Sequence, residues 1–234
     1  MTKFISEQSF WELFPDAKLG VLVAKGLDNS KESSPEIVEE LKKSNIDAAN
    51  FVMLEPISAN PAVGVWREAF KKFKTKKKVR SSIEALLKRA QGGKPVSSIN
   101  PLVDIYNTAS LKFGLPCGAE DLDKFEGDLK LGITQGGDEF FALGDDKVTE
   151  TLEGELCYRD DKGAVCRCFN WRDCQRTMIT EDTKNSFIIM ESVDPSRHED
   201  LVEAINFLEE NIKKHLGAEV TKYFLDNNNT EIEL

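Results

Sequence analysis

With 234 residues, 40% of them apolar and including 14 Phe and 3 Trp, the chain can bury a substantial core. It is expected to form a single domain over 1-234, with an N-terminal portion (1-65), a central portion (66-193) and a C-terminal helix and tail (194-234). No run of 18 apolar residues occurs, which excludes a membrane-spanning helix, and "MTKFISEQSFWELF" lacks the apolar stretch and cleavage site of a signal peptide, so the cytoplasm is the expected location. A net charge of −10 argues against nucleic acid, but it is unevenly spread: residues 67 to 94 carry eleven Lys and Arg against two Glu, a net +9, leaving −19 on the rest.

In chain order, "SEQSFWELFP" reads as a short helix ended with the help of Pro15, and Lys18 to Leu27 as a strand. Ser34-Pro35 opens a helix to about Asn45, with proline at its first position. An irregular stretch, "LEPISANPAVG", follows. Trp66, Phe70 and Phe73 fall at helical spacing and predict a helix from Trp66 to about Phe73, interrupted by the basic loop "KTKKKVR". Ser81-Ser82-Ile83-Glu84 has the form of a capping box, opening a helix that stops at Gly92-Gly93. "PLVDIYNTASLKFG" predicts another, with Leu102, Ile105, Ala109 and Phe113 on its buried face and Gly114 as its end.

From Asp128 to Ile189 short apolar segments alternate with Gly-Gly, Gly-Asp-Asp and Asp-Asp-Lys-Gly turns, the pattern of antiparallel strands, and "NSFIIMES" is a further strand. Asp194-Pro195 starts an amphipathic helix stopped by Gly217; "EVTKYFL" reads as a last strand and "DNNNTEIEL" as a frayed tail. Helices precede strands, so the expected class is α+β, an antiparallel β sheet or sandwich packed with helices.

The five cysteines, Cys117, Cys157, Cys166, Cys168 and Cys174, are an odd number without a secretion signal, which predicts reduced thiols. Cys166 and Cys168 are expected on one face of a strand. His198 and His215 lie elsewhere, so no metal and no cofactor is expected.

"INPLVDIYNTASLKFGLPCGAEDLDKFEGDLKL", then "GDEFFALG", then "GELCYRDDKGAV", resembles the B3/B4 domain of the phenylalanyl-tRNA synthetase β subunit. The resemblance runs from about Trp66 to Val193 and includes Asp104, Ile105, Asn107, Gly114, Pro116, Asp121, Leu122, Asp123, Lys124, Thr183, Asn185 and Glu191. It implies a free-standing relative of an editing domain, which hydrolyses the ester of mischarged tRNA by positioning water, without metal or covalent nucleophile. The family's histidine falls on Gly118, and its small loop, Ala-Gly-x-Met-Gly-Gly, falls on Phe169 to Cys174. These departures imply a pocket shaped for a substrate other than tyrosine.

On this resemblance Glu191 is the catalytic candidate, holding a substrate group or orienting water, with an exposed strand-end acid as the plain alternative. Asn170, Trp171, Arg172 and Asp173, and with them Arg176, are the substrate-binding candidates, or else a polar hairpin with a local ion pair. Asp104, Asn107, Asp121 and Asp123 are expected to frame the pocket. Lys71, Lys72, Lys74, Lys76, Lys77, Lys78 and Arg80 are candidates for contacts with tRNA phosphates, or a solvated loop. His198 could stand in for the missing histidine, or lie on the surface. Cys117 and Cys174 have no evident activating partner. Two functions stay open: a hydrolase acting on the aminoacylated 3′ end of tRNA, and a non-catalytic binder of RNA, an amino acid or a metabolite.

Overall fold

The computed structural model describes residues 2-234. The chain opens with β1 (Lys3–Ser6), α1 (Gln8–Leu13), β2 (Lys18–Lys25) and α2 (Pro35–Asp47), followed by α3 (Pro61–Ala69), α4 (Ser82–Gln91) and α5 (Pro101–Phe113). A run of strands comes next: β3 (Cys117–Asp121), β4 (Leu129–Ile133), β5 (Glu139–Phe141), β6 (Val148–Glu150), β7 (Leu156–Asp160), β8 (Gly163–Arg167), β9 (Arg172–Asp173) and β10 (Asn185–Ser192). The chain closes with α6 (His198–Leu216), β11 (Glu219–Leu225) and β12 (Glu231–Glu233).

The fold is α+β. Six strands form one sheet in the order β12-β1-β4-β7-β8-β9, and four form a second, β11-β2-β10-β3; β5 and β6 pair separately. Every named pairing is antiparallel except β1 with β4, which is parallel. Two large apolar cores and a small third one, around Phe140, Ala142, Ala164 and Cys174, result. Phe4 of β1, Tyr158 of β7 and Phe187 of β10 meet between the two large sheets, with Phe4 and Phe187 ring centroids 5.1 Å apart. On the other face of the four-stranded sheet, Leu22, Ile188 and Met190 pack against Leu102 and Ile105 of α5 and Leu201, Ile205 and Leu208 of α6. The strand period of two produces this division, because Phe187 and Ile189 point one way and Ile188 and Met190 the other.

Several boundaries differ from expectation. The helix expected from Trp66 to Phe73 spans Pro61–Ala69 instead, since Pro61 takes the favoured first helical position; Phe73 packs against Phe70 from the following loop, with the rings tilted and their centroids 5.3 Å apart. The capping box is half formed. Ser81 Oγ accepts from the Glu84 amide at 3.4 Å, but the Glu84 carboxylate is drawn off by Arg67 and Lys88, at 2.8 and 2.7 Å. The expected tail is ordered: Asp226 and Asn229 exchange backbone bonds in a tight turn, which returns β12 to pair with β1. Cys168 does not share a strand face with Cys166, because β8 ends at Arg167 and the chain enters the left-handed region at Cys168 (φ 49°) and Phe169 (φ 65°). All five cysteines are free and buried. Among the described residues no helix is long and apolar enough to cross a membrane.

The frame around α5 follows its polar residues. Asn100 caps the helix by accepting from the Val103 amide at 3.1 Å, and Gly114 ends it at φ 61°. Fully buried Asp104 accepts from Ser33 Oγ and Ser98 Oγ, both at 2.5 Å, and from the Ile99 amide at 2.8 Å, tying α5 to two loops. Asp121 and Asp123 bind Thr183 and Asn185, at 2.9 and 2.9 Å, fastening the end of β3 to the start of β10. Asp104→Ala strands three donors, and we expect a loss of about 2 kcal/mol in stability, read as a lower urea midpoint with the slope kept.

Candidate functional site

The same strand period that buries Phe187 and Ile189 between the sheets places Glu191 on their face of β10. There it meets Tyr158 from β7, whose hydroxyl donates to Glu191 Oε1 at 2.6 Å, and Asn170, whose Nδ2 donates to Oε2 at 3.4 Å. These groups line a cavity of about 50 Å³ between the sheets. Gly118 and Glu120 of β3 and Asp173 of β9 also line it. So do Ser82 of α4 and Trp171, from the segment between β8 and β9.

The cavity has an unusual electrostatic make-up. Three carboxyls line it, and none of its lining residues is Lys, Arg or His. Burial pushes the Glu191 carboxyl up to about 8, against the opposing pull of the Tyr158 and Asn170 hydrogen bonds. Glu120 is raised well above the ordinary range by burial and by the charge of Asp173, and accepts a 2.5 Å bond from Thr177 Oγ1. Asp173 is raised by burial, while hydrogen bonds to Cys166 and Glu120 act in the other direction. Glu120 and Asp173 are thus neighbouring acids for which burial favours the protonated form. Burial likewise raises the Cys117 and Cys166 thiols, so neither is a thiolate at neutral pH.

Among the described residues two polar atoms at the cavity find no partner, Asn170 Oδ1 and Ser82 Oγ, and Asn170 is only 8% exposed. An orphaned buried acceptor costs about 1–3 kcal/mol, a cost that a donor placed in the cavity would offset. Gly118, where the resemblance places a histidine, leaves space: a Cβ there would meet only Ile189 Cγ2, at 4.0 Å. His198 is not among the lining residues; it sits at the start of α6, near Lys18 and Asp194.

The loop after β8 sorts the candidates. Phe169 is fully buried among the rings of Phe10, Phe14, Trp66 and Tyr158, which anchors the residues after it, and the Asn170 carbonyl accepts from the Ser82 amide at 3.0 Å. Asn170, Trp171 and Asp173 reach the cavity, but Arg172 does not. Neighbours on a strand face opposite ways, so Arg172 turns outward to Asp145 at 3.2 Å, with its guanidinium 5.8 Å from the Trp171 ring centre. Arg176 is also elsewhere, forked onto Asp160 at 2.7 and 2.8 Å and bonded to the Lys124 carbonyl. Sequence reading missed Glu120 and Tyr158. Both carry a signal: an acid flanked by Ala119 and Asp121 in a buried strand, and a tyrosine on the inward face of "LCYRD".

Beside the cavity runs an open groove lined by Lys78, Arg80, Lys88, Arg89, Lys94, Arg172 and Trp171. Trp171 belongs to both groove and cavity. Of the expected basic stripe, only Lys78 and Arg80 line this groove. Lys71 pairs with Glu68 at 2.6 Å, and Lys72 bonds the Leu13 carbonyl at 2.9 Å and sits 4.9 Å from the Phe14 ring centre. The Lys74 backbone forms a β-bridge to Glu155, its amide donating to the Gly154 carbonyl at 2.9 Å; the Lys76 amide faces the Cys168 thiol, and Lys77 is exposed. The sequence signal for the rest was present in "LLKRAQGGK", where the charges fall on one helix and its cap.

This cavity belongs to a domain related to the aminoacyl-tRNA synthetases. The chain is 36% identical over 101 residues to the phenylalanine–tRNA ligase β subunit of Fusobacterium nucleatum, and 30% identical over 93 residues to that of Idiomarina loihiensis. Those stretches are 43% and 40% of this chain but 12% and 11% of the relatives. The fold is similar to an N-terminal fragment of the phenylalanyl-tRNA synthetase β subunit from Pyrococcus horikoshii, with a TM-score of 0.50 and 12% identity, covering 96% of this chain and 54% of that one. The B3/4 domain family matches residues 65–218, and the chain belongs to that family. The match starts after β2, yet β2 pairs with β10 along its whole length, so the preceding segment helps to hold Glu191 in place.

Proposed function

We propose that the protein hydrolyses the ester joining a mischarged amino acid to the 3′ end of tRNA. The observation that carries this reading is the buried Glu191 carboxyl, fixed by Tyr158 and Asn170 in a cavity that opens beside a basic groove. The groove suits the phosphates of the acceptor end and Trp171 offers a stacking face, so the ester would enter between them.

In this scheme the Glu191 carboxylate takes a proton from water as the water oxygen attacks the ester carbonyl. The acyl bond to the ribose oxygen breaks, that oxygen receives the proton, and free amino acid and tRNA leave. No thiol attacks, since the two cavity thiols keep their protons at neutral pH.

The acidic lining also favours this reading over storage of a free amino acid. A free amino acid brings a carboxylate into a cavity with three carboxyls and no cation, whereas an esterified one brings only its ammonium. The test is deacylation of tRNAs charged with cognate, non-cognate and D-amino acids. Turnover of one class is the expected result, and a flat panel in which free amino acids raise the melting temperature refutes it. The groove is checked by Lys78→Glu/Arg80→Glu. We expect at least about tenfold weaker tRNA binding and a salt slope reduced by about 2, while a free aminoacyl ester is bound as by the wild type.

A further inference from the structure

The cavity holds two acidic stations, not one. Glu191 lies at one, between Tyr158 and Asn170; Glu120 and Asp173 form the other, backed by Thr177. Along β10 they are well separated. Glu120 pairs with Phe187, and Glu191 is four residues further on, about 13 Å of strand before the side chains lean inward. One station suffices for an α-amino group and a water.

We propose that the amino acid removed by this protein carries a second amino group on its side chain, as lysine or ornithine does, and that Glu120 and Asp173 bind it. The inference rests on the editing function and narrows its substrate class. Asn170 Oδ1, buried and without a partner next to Glu191, accepts from the α-ammonium. Glu120 and Asp173 line one end of the cavity together, with no cation among the lining residues to answer either acid, so an ammonium placed between them would offset the cost of burying their charge. No lining residue supplies a counter-charge, so a cationic guest is the partner that the pair lacks. The loop pattern agrees: Asp173 stands where the small-residue loop would place a glycine.

A metal ion is the other cation to weigh. Among the described residues no group of three or more His, Cys, Asp and Glu side chains is arranged to hold one, whereas a carboxyl pair and an amide at separate stations suit two ammonium groups. A neutral side chain of the same length would leave the pair's charge unmet, and an acidic one would be repelled.

The experiment uses the full chain and one tRNA body charged in turn with lysine, ornithine, norleucine, serine, tyrosine and glutamate. The expected result is hydrolysis of the lysyl or ornithyl ester about 100-fold faster than the norleucyl ester, which has the same chain length without the amine. Glu120→Gln and Asp173→Asn should collapse that ratio towards one. Their melting curves show whether they fold, and the wild-type panel decides the matter even if they do not. Preference for norleucine, serine, tyrosine or glutamate overturns the second amino group and leaves ester hydrolysis standing. No turnover of any ester overturns both.

Discussion

Glu191→Gln should lose at least about 100-fold in ester hydrolysis and gain stability at alkaline pH. The two effects have one cause. Burial lifts the Glu191 carboxyl to about 8, far above the range it has in an unfolded chain. Below the unfolded value both states are protonated and nothing is lost. As pH rises the unfolded chain ionises first, the folded state retains its proton, and stability falls until the folded group also ionises near 8. The cost there is on the order of 4 kcal/mol, about 10 °C in Tm for a chain of this size. Glutamine keeps the shape and still accepts from Tyr158 without ionising, so the variant should match the wild type near pH 4 and exceed it at pH 9. In the wild type, kcat/KM should climb with pH through a midpoint near 8 and level off above it, since the carboxylate is the form that takes the proton. Tyr158→Phe removes a donor to that carboxylate and should move the midpoint upwards. A pH-independent rate, or a glutamine variant that melts earlier at pH 9, refutes this account of the site.

Much of this arrangement is legible in the chain. Apolar periodicity and capping residues locate α2, α4, α5 and α6, and the alternation in "NSFIIMES" puts Glu191 on the face of Phe187 and Ile189. What escapes is whatever depends on long-range pairing. The segment "DNNNTEIEL" is too polar to read as structure, and becomes a strand only because β1 offers it an edge. Glu120 reads as one more acid in "CGAEDLDKF"; its burial comes from β10 and the β9 loop closing over it. Arg172 and Asp173 are adjacent and look like one binding unit. The two-residue strand β9 separates them, sending the acid into the cavity and the guanidinium to the groove. The basic stripe is likewise split by tertiary structure, because Lys71 and Lys72 find partners nearby while Lys78 and Arg80 join the basic residues of α4 and Lys94 beside Trp171.

The most damaging single change outside the cavity should be at the ion pair of Glu155 and Arg167. Arg167 forks onto Glu155 at 2.5 and 2.9 Å, bonds Thr149 at 3.2 Å and lies 5.5 Å from the Phe140 ring centre. The two side chains are 0% and 1% exposed, whereas Lys3 and Glu231 form a similar short contact at 40% and 53%. Burial decides which matters. Breaking the exposed pair should cost under about 1 kcal/mol, but Glu155→Ala leaves a guanidinium buried without a counter-charge and should cost about 3–5 kcal/mol. Replacing both, Glu155→Leu with Arg167→Met, removes the charges together and should recover most of that loss, because the penalty is the unpaired charge more than the missing bond. Urea titrations of Glu155→Leu, Arg167→Met and the double form the cycle, and a double as unstable as the summed singles rules out the coupling. Arg167 is also the last residue before the left-handed turn at Cys168 and Phe169, from which Asn170 and Asp173 hang. The single variant should therefore lose activity at temperatures where it is still folded, and the double should regain it, which would make this pair the support on which the cavity loop is set.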